Sequence, residues 1–199
     1  PMLDLEGATV GGWRTMVEAV AVHTLGLGGD SEVRLDKEDG LVVGPQRVVP
    51  LSLLGHQHPN ILDSLRGQTT GDSVGPYDGQ FALRQRPLGP RGGSLSATQE
   101  EIWNRLAEGP TPLAALFGDF RRAYFQRRAL ARLVERGLVV LASFTPTDAA
   151  HVLGYHHDWS VQAAGLGAEL WARRAAQSPW ELDGNPDDFC QHVMRRVTV

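Results

Sequence analysis

Val20-Ala21-Val22-His23-Thr24-Leu25-Gly26-Leu27-Gly28-Gly29-Asp30-Ser31, followed by Glu32-Val33-Arg34-Leu35-Asp36 and Leu41-Val42-Val43-Gly44-Pro45, is the stretch on which the reading of this chain turns. Val20, Val22 and Thr24 alternate with Ala21 and His23, the period of a half-buried strand. Trp13, Val17, Val20 and Thr24 also share one helical face, so strand and helix both stay open there. A glycine-rich run after a strand lets backbone N–H groups approach an anion closely. The same Gly28-Gly29-Asp30-Ser31 sequence equally suits a tight turn that needs positive φ. Beyond it, two short apolar runs around the polar Lys37-Glu38-Asp39-Gly40 predict a β-hairpin.

Working outward, Leu3 and Leu5 alternate with Asp4 and Glu6, and a short amphipathic helix is predicted from His58 to Arg66, so residues 1–66 read as mainly strands and turns. Residues 67–94 are rich in Gly and Pro and read as a mobile connector with one strand near Gln80–Gln85. Residues 95–144 form a compact helical unit. Ser96-Ala97-Thr98-Gln99-Glu100 offers an N-cap and early acidic residues before Ile102, Trp103 and Leu106, and Gly109-Pro110 closes that helix. Pro112 opens a short second helix, and a third runs from Tyr124 to Arg136 with Gly137 as its C-cap. With Leu138–Ala142 as a strand, the order is that of a winged-helix module. Residues 145–199 are helical again, in three segments starting at Pro146, near Trp159 and at Pro186 or Asp187. The fold class expected is therefore mixed α/β of the α+β kind.

A second motif is Phe144-Thr145-Pro146-Thr147-Asp148-Ala149-Ala150-His151-Val152-Leu153-Gly154. Asp148 and His151 are three apart on a helix, so both can face one point. A carboxylate and an imidazole so placed can bind a divalent metal or relay a proton. Thr147 or Asp148 acting as an N-cap is the alternative.

These two segments together resemble the hydantoinase/oxoprolinase family. In that family a valine-histidine-threonine strand runs into a Gly-x-Gly-Gly-x-Ser turn, then a hairpin ending in Val-Gly-Pro, as at Val43-Gly44-Pro45; the match covers about residues 10–47. The Thr147-Asp148-Ala149 segment resembles the family's Thr-Asp-Ala-Asn-x-x-Leu-Gly helix start, with His151 as a departure. The aspartate-bearing loop that most members carry after the hairpin is absent, its aspartate either lost or replaced by His56 or His58. A long stretch containing the helical unit replaces the family's short link.

The resemblance implies part of an actin/sugar-kinase/Hsp70-type ATPase domain with an inserted winged-helix-like unit. It implies ATP-dependent hydrolysis of a cyclic amide of the hydantoin or oxoproline type, with ATP and a divalent metal (magnesium, manganese or zinc) as cofactors. Gly28, Gly29 and Ser31 would touch nucleotide. His23 and Asp148 would be the catalytic pair, and His23, Asp148 and His151 the metal ligands. Partners implied are a cyclic amide or related carbonyl substrate, an N-terminal half of the same chain holding the phosphate loops, and a second subunit of the hydantoinase-B type. The chain opens at Pro1 with no initiator methionine and is expected to be an excised piece, inactive alone. A winged-helix partner-binding or regulatory module without catalysis is the alternative.

Composition narrows the classes. With 42% hydrophobic and 21% charged residues, the chain suits a globular protein. The net charge of −4 argues against a nucleic-acid or membrane-surface role. Residues 95–137 hold seven Arg against five Asp and Glu, a thin footprint for DNA, so the arginines near the third helix read as a solvated or docking face. His156-His157-Asp158 reads as an exposed loop or cap. Cys190 is the single cysteine, which rules out an intrachain disulfide and fits a reducing cytoplasm. No apolar run reaches the ~20 residues of a membrane span, and no signal peptide is expected from the opening residues.

Overall fold

The computed structural model describes residues 28–36, 38, 40–89, 94–117, 120–178 and 184–197, with four two-residue strands nearer the N-terminus. Those strands are β1 (Leu3–Asp4), β2 (Thr9–Val10), β3 (Trp13–Arg14) and β4 (Ala19–Val20). β1 pairs antiparallel with β4, and β2 with β3. Trp13 and Val20, where helix and strand competed, are both in strands.

The predicted hairpin is present as β5 (Ser31–Asp36) and β6 (Gly40–Arg47), with Val33 opposite Val43 and Leu35 opposite Leu41. Gly40 sits at φ 70°, a turn geometry that a side chain would strain. After β7 (Val49–Pro50) the chain forms two helices where one was predicted: α1 (Leu51–Gln57) and α2 (Ile61–Thr69). Pro59 and Asn60 separate them, so the second starts at Ile61 rather than His58.

β8 (Phe81–Arg84) is the strand expected near 80–85. The helical unit follows as α3 (Ala97–Arg105), β9 (Thr111–Pro112), α4 (Leu113–Leu116), α5 (Phe120–Glu135) and β10 (Val139–Ser143). Ser96 caps α3 in a capping box with Gln99, as its sequence indicates. Gly137 follows α5 at φ 62° and lets the chain reverse into β10. α6 (Pro146–Val152), α7 (Val161–Ala176) and α8 (Pro186–Val197) complete the chain. The fold is a mixed α/β arrangement of small sheets and helices, and no described helix is long and apolar enough to cross a membrane.

One four-stranded sheet, in the order β7-β10-β8-β9, joins the helical unit to the rest. β10 runs parallel to β7 and antiparallel to β8, and β9 adds to the far side of β8 antiparallel. Adjacent residues of these strands serve different cores because successive side chains face opposite sides of a sheet. Phe81 and Ala142 join a core with Leu51, Leu54, Phe144, Trp171 and Phe189. Ala82 and Val139 join a second core with Ile102, Trp103, Leu116, Leu130 and Leu133.

Small residues on α7 bring α1 very close. A Cβ on Gly55 would lie 2.5 Å from the Cβ of Ala163, and one on Gly167 would lie 2.6 Å from Leu51 Cδ1. Trp171 on the same helix stacks on Phe144 with ring centroids 5.7 Å apart, and its Nε1–H donates to the Val33 carbonyl at 3.0 Å.

The first part of the Gly/Pro-rich stretch is held by side chains from elsewhere in the chain. Residues 67–69 end α2, and the following loop is gripped by two arginines of α7. Arg173 donates to the carbonyls of Thr69 and Gly71. Arg174 donates to those of Gly75 at 2.8 Å and Asp78 at 2.9 Å, with its guanidinium 4.6 Å from the Trp171 ring centroid. These bonds satisfy carbonyls that glycine-rich loops normally leave to water.

Candidate functional site

Both segments that carry the sequence motifs meet. The amide of Thr147 donates to the Gly29 carbonyl at 3.0 Å, and Val33 N–H donates to the Phe144 carbonyl at 3.0 Å. The approach is close enough that a Cβ on Gly29 would lie 2.5 Å from Thr147 Oγ1. Any side chain here would force the Thr147 side chain to shift, so the close approach favours glycine whatever else the turn does.

The turn itself closes on its own groups. Ser31 is fully buried; its N–H donates to the Gly28 carbonyl at 3.0 Å and its Oγ accepts from Gly28 N–H at 2.9 Å. The Gly28 amide thus has an internal partner, whereas among the described residues the N–H of Gly29 has none. Asp30 pairs with Arg47 at the surface, and that hydrogen bond holds its carboxyl below the usual carboxylate range. Val48 N–H donates to the Asp30 carbonyl at 2.9 Å, so the turn also fixes the end of the hairpin.

Asp148 is fully buried on the other side of the junction. Its Oδ2 accepts from the N–H of Thr145 at 2.9 Å, the hydroxyl of Thr145 at 2.9 Å and the N–H of Leu51 at 3.1 Å. Its Oδ1 accepts from Ser52 N–H at 2.7 Å. Thr145 is the N-cap of α6 and Asp148 its third residue, a reciprocal capping box. The capping alternative is thus what the geometry shows, with Thr145 in the role that the sequence suggested for Thr147 or Asp148. The same carboxylate also supplies the first turn of α1, whose N-cap Pro50 has no side-chain cap to offer. Burial pushes the Asp148 carboxyl above the usual range, against the hydrogen bonds from Ser52, Thr145 and Leu51.

His151 is buried on the same helix, yet it does not share a partner with Asp148. Its Nδ1 lies 2.8 Å from the Thr147 carbonyl and its Nε2 lies 3.3 Å from Trp159 N–H. A carbonyl accepts only from N–H and an amide donates only to a lone pair, so Nδ1 carries the hydrogen and Nε2 accepts. Both ring nitrogens are engaged, and the ring stacks on Trp159 with centroids 5.7 Å apart. His23 lies outside the described residues, and with it the predicted His23–Asp148 pairing. Among the described residues no group of three or more His, Cys, Asp or Glu comes together to hold a metal. His56, His156 and His157 are exposed and His58 half-exposed.

Sequence reasoning missed Thr145, Thr147 and the α1 amides as parts of this junction. The Thr145-Pro146-Thr147-Asp148 string carried a signal, since a hydroxyl three residues before a carboxylate is the pattern of a capping box. Nothing local pointed to α1. No family model, curated protein or solved structure matches the chain.

Proposed function

We propose that these residues form part of a hydantoinase/oxoprolinase-type enzyme, in which ATP activates a carbonyl oxygen of a cyclic amide for hydrolysis. The observation that supports the reading is the junction itself. The two segments carrying the family's motifs, far apart in sequence, are bonded through Thr147 N–H to the Gly29 carbonyl. In this reading the finer fold is of the actin/sugar-kinase/Hsp70 type, and the phosphate loops lie outside these residues. The Gly28–Ser31 turn would present the Gly29 amide toward nucleotide, with Asp148 acting as a positioning residue that fixes α1 and α6. A divalent metal, as the resemblance implies, would need ligands beyond Asp148 and His151, because the contacts of both are already taken up within the protein. The full polypeptide should release ADP from ATP faster when hydantoin or oxoproline is added. ADP release that no cyclic amide in a broad panel accelerates would refute the assignment.

A second reading is favoured by the topology of residues 81–143. Helices α3, α4 and α5 with strands in the order β10-β8-β9 follow the plan of a winged helix opened at its wing. The strand ends that a wing would join, Ser143 and Phe81, lead instead into α6 and back to the clamped loop. On α5, Tyr124 and Phe125 are 58% and 66% exposed and form an edge-to-face pair with centroids 5.5 Å apart. Exposed aromatics beside arginines are the residue types that anchor protein interfaces. In this reading the unit binds a partner protein without catalysis of its own, and a Tyr124→Ser, Phe125→Ser variant should lose affinity for a partner that the wild-type chain holds. Undiminished affinity would remove α5 as the docking helix.

A further inference from the structure

Between the helical unit and the rest of the chain lies an open cavity of about 450 Å³, within the range of ~300–1,000 Å³ typical of small-molecule sites. Its walls are mainly apolar: Tyr77, Phe117, Leu130 and Leu141 all line it. They come from independently anchored places. Tyr77 belongs to the loop that Arg174 holds at both Gly75 and Asp78, and its ring meets Phe117 edge-on at 4.7 Å. Leu130 is packed in the core of the helical unit, and Leu141 lies on the strand shared between the two halves. Walls held separately make a site that exists before its ligand arrives, and sites of this kind favour domain boundaries.

Two charged side chains also line the cavity, Arg127 and Glu135. Glu135 is matched by Arg132, whose Nη1 lies 2.9 Å from its Oε2. Arg127 has no hydrogen-bond or ion-pair partner among the described residues. The cavity is thus a mainly apolar space whose edge carries an exposed guanidinium with no partner among the described residues, and a guanidinium is suited to a bidentate carboxylate. We infer that it binds a small molecule with an aryl or alkyl body and a single carboxylate, which bridges α5 to β10 and the Tyr77 loop. The inference rests on neither functional reading above.

Calorimetric titration of the whole chain with hydrocinnamate and with its neutral amide tests it. The carboxylate should bind about tenfold more tightly than the amide, as a charge-assisted pair requires. Arg127→Gln should abolish that preference, and Arg127→Lys should keep part of it. Ala131→Trp, a change at an exposed cavity-lining position of α5, should fill the space and abolish binding of both compounds. Equal affinity for acid and amide, no binding of either, or binding unaltered by Ala131→Trp would overturn the inference. Should Ala131→Trp fail to fold, the two Arg127 variants decide alone.

Discussion

Replacing Asp148 by alanine should cost a large share of the stability of this chain. The change strands the buried N–H groups of Leu51, Ser52 and Thr145 and the Thr145 hydroxyl, all of which donate to this carboxylate. Loss of an N-cap interaction costs roughly 0.5–2 kcal/mol, and here two helix starts lose one each. A stranded buried donor costs about 1–3 kcal/mol. Because the donors share one carboxylate, the losses do not simply add, and about 3–5 kcal/mol is expected. Against a typical total of ~5–15 kcal/mol, that is enough to shift a urea midpoint substantially. Far-UV circular dichroism across a urea series measures it. A loss under about 1 kcal/mol would mean that α1 and α6 find other partners, and the account of the junction would fail.

Asp148→Asn gives the sharper test, because it keeps the shape and sets an NH2 group against amide donors. Burial raises the Asp148 carboxyl above its ordinary value, so the folded chain holds that proton more tightly than the unfolded chain does. The stability derived from this group is then complete below the unfolded value near ~3.9. It is lost progressively as pH rises through the folded value. The stability gap between the wild type and Asp148→Asn should therefore narrow as pH increases from about 4. A gap that widens with pH would show that the donated hydrogen bonds outweigh burial, and would reverse the sign assigned to this group.

Gly55→Ala and Gly167→Ala should each destabilise the chain by about 1–3 kcal/mol, the usual cost of overpacking, because the new methyl would meet Ala163 or Leu51; thermal melts read this directly, and an unchanged midpoint would show that α1 and α7 can part freely. Brief proteinase K treatment should cut within the exposed residues 85–89 and spare 68–80, whereas Arg174→Met should open the latter loop to cleavage; early cuts at 71–79 in the wild type would contradict the arginine clamp. The Cys190 thiol is buried and its pKa is pushed up to about 12, mainly by burial and then by Asp187 and Asp148, so a disulfide reagent at neutral pH should label it only after denaturant is added. Immediate labelling of the native chain would count against the packing of α8.

The elements most legible in the sequence are those whose signals are local. The hairpin β5–β6 follows from two apolar runs and a polar turn ending in Gly40, and α3 follows from Ser96 and Gln99. α5 is also written locally, although it begins at Phe120, a turn earlier than the Tyr124 start that its apolar face suggests. The Gly/Pro-rich composition of the connector carries no sign of what holds residues 69–78, because that hold comes from far along the chain. Here Arg173 and Arg174, about a hundred positions away, supply the missing donors.

The candidate site shows the same limit more acutely. Glycine at position 29 reads as a turn or a phosphate contact when only its neighbours in sequence are considered, yet its lack of a side chain also leaves room for Thr147 across the junction. α1 has no acidic residue in its first turn and no capping side chain of its own, so its sequence carries no start signal. Its start signal is Asp148, contributed from 97 positions away at Leu51. A carboxylate that caps its own helix satisfies a local rule, and one pattern search finds it. A carboxylate that caps two helices at once binds them into a unit, because α1 cannot part from α6 without stranding the amides of Leu51 and Ser52. Asp148 thus ties α1 to α6, and the Thr147 amide ties α6 in turn to the Gly28–Ser31 turn, an arrangement that can be read only once the chain has folded.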